Sequence, residues 1–349
     1  MTASKVKRGG SKGRGSAKAA ATIIDVAREA EVSQITVSRV IRKMGLVSDE
    51  TRDRVLKAIQ KLGYVPNRMA GTLAGGQSDL IGVVIPSLGN SVFSDVLRGL
   101  HDAFANRGFR VVTTITDYDL ELEERHVSSL LALRPAALIL TGCDHTEATR
   151  AMITRSGLPI VEIMDTDKTP MDLAVGMSPR KAAETSAAYL LQRGYRRFGY
   201  VGHDNAHRDL RAWRRRASFL SAVKAGGATV VGEHLSKGPS SVPAGRVALQ
   251  RLLASHPTVD AVYFSNDDMA VGGIYHCLAE GIEFPGKLAI FGFNGLDIGQ
   301  TMPKPLSTIL TFRYQTGYLA GNAIMARIDE DYAPASIDVG FKLIEGETA

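Results

Sequence analysis

The sequence predicts a small all-α headpiece followed by a large α/β domain of two doubly wound lobes. Three observations predict it. Two short amphipathic helical patterns meet across a tight turn between Thr22 and Ile41. From Leu80 onward short apolar runs alternate with helical patterns, in two successive series of similar size. Between these textures, Pro66 and the Gly75-Gly76 pair bracket a short segment that belongs to neither. A chain of 349 residues suits two or three domains rather than one small core.

The chain opens on a basic tail, residues 1–21. It holds Lys5, Lys7, Arg8, Lys12, Arg14 and Lys18 and no acidic residue. Rich in Gly, Ser, Lys and Ala, it is expected to be disordered. Residues 22–79 have nine basic and seven acidic side chains, and residues 80–349 have 27 and 29. The net charge of +6 is thus concentrated at one end. A polyanion is the natural partner of that end, and a solvated leader without a binding role is the alternative for the tail.

Next comes the headpiece, residues 22–63. Ile23, Val26, Ala27 and Ala30 fall at i, i+3, i+4 and i+7, so one face of the first helix is apolar. Val37, Val40, Ile41 and Met44 give the second helix the same stripe. Glu31-Val32 makes the turn, and Ser33 stands where an N-cap is wanted. Gln34, Ile35, Ser38 and Arg39 are then turned outward, and three of them can bond a base edge or a phosphate. This reads as a helix-turn-helix whose second helix enters a DNA major groove, with an ordinary helical bundle as the alternative. A third helix is expected over 48–62. Ser48 caps it, Asp49 and Glu50 suit its positive end, Val55, Ile59 and Leu62 form its stripe, and Gly63 stops it.

Residues 64–79 read as a hinge helix and linker. Pro66 can occupy a first helical turn, Asn67 to Ala74 can form two turns, and Gly75-Gly76 end them. A helix this short is unstable alone, so it is expected to form on binding.

The α/β series starts with Leu80–Ile85, a continuous apolar run of the kind buried in parallel sheets. A helix over about 92–107, strand 110–116, helix 121–133, strand 137–141, helix 146–156 and strand 159–163 follow. The second series has helix 179–193, strand 197–201, helix 214–225, helix 244–255, strand 261–265, helix 268–280 and strand 288–291. Two such lobes face each other across a cleft, and open α/β sheets bind ligands beyond the carboxyl ends of their strands.

Six segments in order carry a resemblance: IIDVAREAEVSQITVSRVI, LGYVPNRMAGTLAGG, DLIGVVIPSL, SNDDMAVGG, FGFNGLDIG and PLSTI near Leu306. Over about residues 22–345 the chain resembles the lactose-repressor family of bacterial transcription regulators. Within it, PSLGNSVFSDVLRGL (86–100), EIMD (162–165), LAVGM (173–177) and GFNGLDIGQ (292–300) are most similar to the repressors of gluconate operons. The resemblance implies an effector-binding domain like the type I periplasmic binding proteins over 80–349. Its first lobe is expected from about 80–175 and 310–338, its second from about 176–309 and 339–349. It also implies a homodimer on a near-palindromic double-stranded operator. A small sugar or sugar acid in the cleft, an aldonate such as gluconate, is expected to lower operator affinity. A neutral sugar, a sugar phosphate or a co-repressor is the alternative.

Roles follow residue by residue. Gln34 suits adenine, Ile35 a thymine methyl, and Arg39 a guanine or phosphate. Thr22, Ser33, Thr36 and Ser38 suit phosphates, which position without specifying sequence. Asn67, Arg68, Ala70 and Leu73 match a hinge helix that enters the minor groove, with Leu73 as the wedge. Gly71 departs from the pattern and weakens that helix by about 1 kcal/mol. In the cleft the resemblance points to Phe93, Asp165, Arg215, Asn266 and Asn294. Arg214, Arg215 and Arg216 are adjacent, which leaves open which of them faces ligand. A guanidinium suits a carboxylate through two parallel hydrogen bonds. Asn294 stands where many sugar-responsive relatives have Asp, which suits an anionic ligand.

Other chemistries find little support. His203 and His207 are four apart but have no third ligand nearby, so neither metal nor cofactor is expected. Gly10–Ser16 lacks the Lys-Ser/Thr and the strand of a phosphate loop. No catalytic residues are expected, which disfavours a sugar kinase. No stretch approaches the roughly 18–20 apolar residues of a membrane span, and the tail lacks a signal-peptide core. A cytoplasmic location is expected, rather than that of an exported solute-binding protein. Cys143 and Cys277 form no C-x-x-C pair, and the end of the sequence carries no leucine heptad for a tetramer.

Overall fold

A computed structural model describes residues 21–41, 44–45, 47–65, 78–89, 91–204 and 209–349. The tail through Ala20 and the residues expected to form a hinge helix, Asn67, Arg68, Ala70, Gly71 and Leu73, lie outside them. The chain divides into two units, residues 1–76 and 77–349.

In the first unit α1 spans Ile23–Glu29, α2 spans Gln34–Ile41 and α3 spans Asp49–Leu62. Thr22 caps α1 in a reciprocal box. Its hydroxyl takes the Asp25 N–H, and the Asp25 carboxylate takes the Thr22 N–H. Glu31, at φ 53°, turns the chain, and the Ser33 hydroxyl accepts from the Thr36 N–H at 3.1 Å to start α2. Ser48 caps α3, and Gly63 ends it in the left-handed region at φ 62°. Val26, Val37 and Val55 are fully buried where the three helices meet. Ile41, Ile59 and Leu62 are partly buried around them. Met44 corrects the expected stripe: it is 61% exposed. α2 ends at Ile41, so the helical period that would turn Met44 inward no longer applies.

The second unit holds two parallel sheets. β1 (Leu80–Ile85), α4 (Ser91–Phe104), β2 (Arg110–Ile115), α5 (Leu120–Ala132), β3 (Ala137–Thr141), α6 (Glu147–Ser156), β4 (Ile160–Ile163) and β5 (Leu173–Gly176) form the first series. The second is α7 (Pro179–Gln192), β6 (Arg197–His203), α8 (Leu210–Ala225), β7 (Thr229–Ser236), α9 (Val242–Ser255), β8 (Ala261–Phe264), α10 (Asp267–Glu280) and β9 (Ala289–Phe291). After it come α11 (Asp297–Gln300), β10 (Thr308–Thr311), α12 (Arg313–Ile328), β11 (Ser336–Asp338) and β12 (Phe341–Ile344). One sheet has the order β11-β5-β4-β3-β1-β2, the other β7-β6-β8-β9, and β10 pairs antiparallel with β12. The chain therefore passes between the two lobes after β5, after β10 and after β11.

The central strands are buried on both faces, as their unbroken apolar runs require. α12 lies against α4 at very close range. A Cβ on Gly99 would stand 2.2 Å from the Tyr314 carbonyl oxygen, and one on Gly317 would stand 2.0 Å from that of Val96. The two helix backbones can meet only because both residues lack a side chain. Among the described residues no helix is long and apolar enough to cross a membrane.

Candidate functional site

In the headpiece the outward face of α2 carries Gln34, Ile35 and Arg39, all exposed, with Thr36 and Ser38 half-buried beside them. Ile35 is 66% exposed. A β-branched apolar side chain at that exposure adds nothing to the core, which Val37 and Val40 already fill. The hydroxyls of Thr22 and Ser33 are engaged in capping. If this face reads bases, Gln34→Ala should bind the DNA selected by the wild-type chain from a random pool about tenfold more weakly. The margin over random DNA should shrink with it, since a bidentate base contact is worth about 1–3 kcal/mol. A gel-shift comparison on both DNAs measures it.

In the second unit a cavity of about 350 Å³ lies between the two sheets. That is within the usual range for a small-molecule site. Its walls come from the carboxyl ends of strands in both lobes, from the first turns of α4, α7 and α8, and from the residue that caps α10.

Among the three adjacent arginines, the one that faces this cavity is Arg215. Its guanidinium lies 3.8 Å above the Phe293 ring and donates to the Ser265 carbonyl at 2.8 Å. Arg214 points away and bonds Asp165 at 2.7 Å and Asp144 at 2.8 Å. Arg216 points away too, pairing with Glu233 and lying 4.3 Å above the Trp213 ring. Successive residues of a helix differ by about 100° in direction, so the three part company. Among the described residues no carboxylate pairs with Arg215, whereas both its neighbours are neutralised.

Phe93, Asn266 and Asn294 also line the cavity. Phe93 is 2% exposed and belongs to the core of the first lobe as well. Asn266 caps α10, its amide oxygen accepting from the Met269 N–H at 3.0 Å. Its amide NH₂ can still donate. Asn294 sits at φ 116°, a strained conformation for any residue but glycine. Its carbonyl oxygen accepts from Arg313, which also bonds Asp95 at 3.0 Å. Asp267, fully buried, holds the same loop: it accepts from the Leu296 N–H at 2.6 Å and the Thr308 hydroxyl at 2.7 Å. Burial outweighs these bonds and pushes its carboxyl up to about 6.

Asp165 is the correction within this group. It is fully buried and does not line the cavity. Its carboxylate is taken by Arg214 and by the Asp167 N–H, so it is not free for a ligand. Asp117, Tyr118, Asp209 and Arg211 line the cavity without having been singled out in the sequence. Position along the chain is the signal for three of them. Asp117 and Tyr118 follow the carboxyl end of β2, at φ 48° and 61°, and Arg211 lies one helical turn before Arg215 on the same face. Burial raises the Tyr118 hydroxyl well above the usual tyrosine range. Asp209 caps α8 through the Ala212 N–H. His203 lines the cavity as well, whereas His207 lies outside the described residues. Among the described residues no group of three His, Cys, Asp or Glu side chains is arranged to hold a metal.

Comparison with known proteins agrees with this architecture. Residues 22–67 match the family model of bacterial regulatory proteins of the lacI family. Residues 78–345 match that of periplasmic binding proteins and the sugar binding domain of the LacI family. The HTH-type transcriptional regulator GntR of Pseudomonas aeruginosa is 37% identical, over 94% of this chain and 95% of its own. The corresponding GntR of Escherichia coli K12 is 34% identical, over 92% and 96%. A solved LacI-family transcriptional regulator from Silicibacter pomeroyi superposes with a TM-score of 0.89 at 38% identity, covering 94% of this chain and 99% of that one.

Proposed function

The chain belongs to the LacI family of bacterial regulatory proteins, and from that premise we propose that it is a dimeric, cytoplasmic repressor released from its operator by a sugar acid such as gluconate. As a member of that family it is a DNA-binding transcriptional regulator, not an enzyme. The finer reading rests on one observation. Arg215 presents a cation to the cavity with no carboxylate partner among the described residues, while Arg214 and Arg216 are neutralised. A carboxylate ligand would complete that site through two parallel hydrogen bonds. Asn294 beside it adds no negative charge, and the aspartates Asp117 and Asp209 offer acceptors for hydroxyls. The GntR name shared by the two relatives agrees with gluconate as the ligand.

In this mechanism two α2 helices of a dimer read successive major grooves, and Asn67, Arg68, Ala70 and Leu73 enter the minor groove between them. Thr22, Ser33, Thr36 and Ser38 contact phosphates. Ligand draws the two lobes together, the hinge helices no longer pair, and operator affinity falls. Couplings of this kind are typically worth about 1–3 kcal/mol. A gel-shift titration tests the effector: gluconate should free the operator at micromolar to millimolar concentration. Retention of the complex at saturating gluconate, with release by a neutral sugar, would transfer the role to the neutral sugar.

A further inference from the structure

His203 closes β6 at its carboxyl end and forms part of the cavity wall. Its Nδ1 is buried and has no hydrogen-bond partner among the described residues. Folded proteins rarely leave a buried polar atom in that state, and one on a residue of a cavity wall is available for a contact that a ligand could supply. Among the described residues, the charges that act on the ring are those of Asp209, Arg215 and Asp204. Burial, the largest influence, and the Arg215 charge hold the imidazole below the usual histidine range against the two aspartates. The ring is therefore neutral at neutral pH, with one nitrogen carrying hydrogen and the other accepting.

A carboxylate oxygen can meet such a nitrogen only when Nδ1 carries the hydrogen. A hydroxyl both donates and accepts, so it satisfies either tautomer. We propose that Nδ1 of His203 reads a hydroxyl of the bound ligand while Arg215 holds its anionic end. The inference rests on the sugar-acid reading above and deepens it. Two anchors on different elements, β6 and α8, fix which way the ligand's carbon chain runs. The class selected is then a polyhydroxy acid, and a simple carboxylate of the same length is discriminated against. Losing the hydroxyl would leave the ring nitrogen unpaired in the complex, which is the costly outcome.

Calorimetric titration of the full chain with D-gluconate tests this against three variants. His203→Asn keeps a polar atom close to where Nδ1 stands. His203→Leu keeps bulk without a polar atom, and His203→Gln moves the amide outward to the Nε2 position. His203→Leu and His203→Gln should bind gluconate roughly tenfold more weakly, and His203→Asn within about threefold of the wild type. One monodeoxygluconate should lose about as much on the wild type and nothing further on His203→Leu. Thermal melting without ligand checks that each variant folds. If His203→Leu does not fold, His203→Gln carries the comparison. Equal gluconate affinity in the wild type and the folded variants overturns the role of His203 and leaves the sugar-acid reading standing. No gluconate binding by the wild type overturns that reading, and this inference with it.

Discussion

Arg215→Ala should weaken the binding of a sugar-acid effector by about 100-fold or more, with the operator complex no longer released by ligand. The size follows from what the side chain does. It is 9% exposed, so its charge is largely withdrawn from water. It is held in place by the Ser265 carbonyl on one side and the Phe293 ring on the other. A cation so fixed loses little entropy when a carboxylate arrives, and removing one partner of a desolvated ionic contact costs about 2–5 kcal/mol. Arg215→Lys should recover part of the affinity, because it restores charge without the planar fork. Ala at this position also uncovers Phe293 and frees the Ser265 carbonyl, so the melting temperature should drop by a few degrees. Calorimetric titration with gluconate, beside a gel shift with and without ligand, separates the two effects. An Arg215→Ala protein that still responds fully to ligand would move the anchoring role elsewhere, with Arg211 next in line.

That prediction depends on a detail only partly legible in the sequence. Three arginines in a row supply charge but no direction. Helical geometry says that they diverge, and the structure shows where each goes: Arg214 to Asp144 and Asp165, Arg216 to Glu233. The same pairing explains why Asp165 left the cavity wall. Asp165 follows the end of β4, but a long-range partner takes its carboxylate, and no local pattern encodes such a partner. Two of the strands that the sequence does not announce are weak signals for different reasons. β5 is only Leu173–Gly176, and β7 is a half-exposed edge strand interrupted by Gly232. α12 contains Gly317 and Gly321, which weaken a helical signal because they serve close packing rather than propensity. By contrast, the long buried runs and the capped helices announced themselves. Leu80–Ile85 has the bounds read from its composition, and Ser48 and Gly63 bracket α3 as their side-chain chemistry requires.

His145→Leu should destabilise the second unit by about 3–5 kcal/mol near neutral pH, the cost of removing the cation from a buried ionic cluster. The imidazole is clamped between two carboxylates, Nδ1 to Glu123 at 2.6 Å and Nε2 to Glu162 at 3.1 Å. Both His145 and Glu162 have fully buried side chains. Burial opposes the charged ring, but the hydrogen bonds and charges of Glu123 and Glu162 outweigh it and push His145 up to about 9. The cluster joins α5, β4 and the loop after β3, and Glu162 also receives the Met171 N–H at 2.6 Å. Its sign in pH is fixed by the direction of that shift. The folded state binds the proton more tightly than the unfolded chain, whose histidine titrates near 6.5. The stabilisation is therefore complete below about 6.5 and is lost as pH rises through about 9. His145→Leu should lack this decline, so the gap between wild type and variant should narrow steadily over that window. Urea unfolding followed at several pH values from 6 to 9.5 measures the gap. A gap constant across the window would mean that the ring is neutral in the folded protein and that packing alone accounts for its contribution.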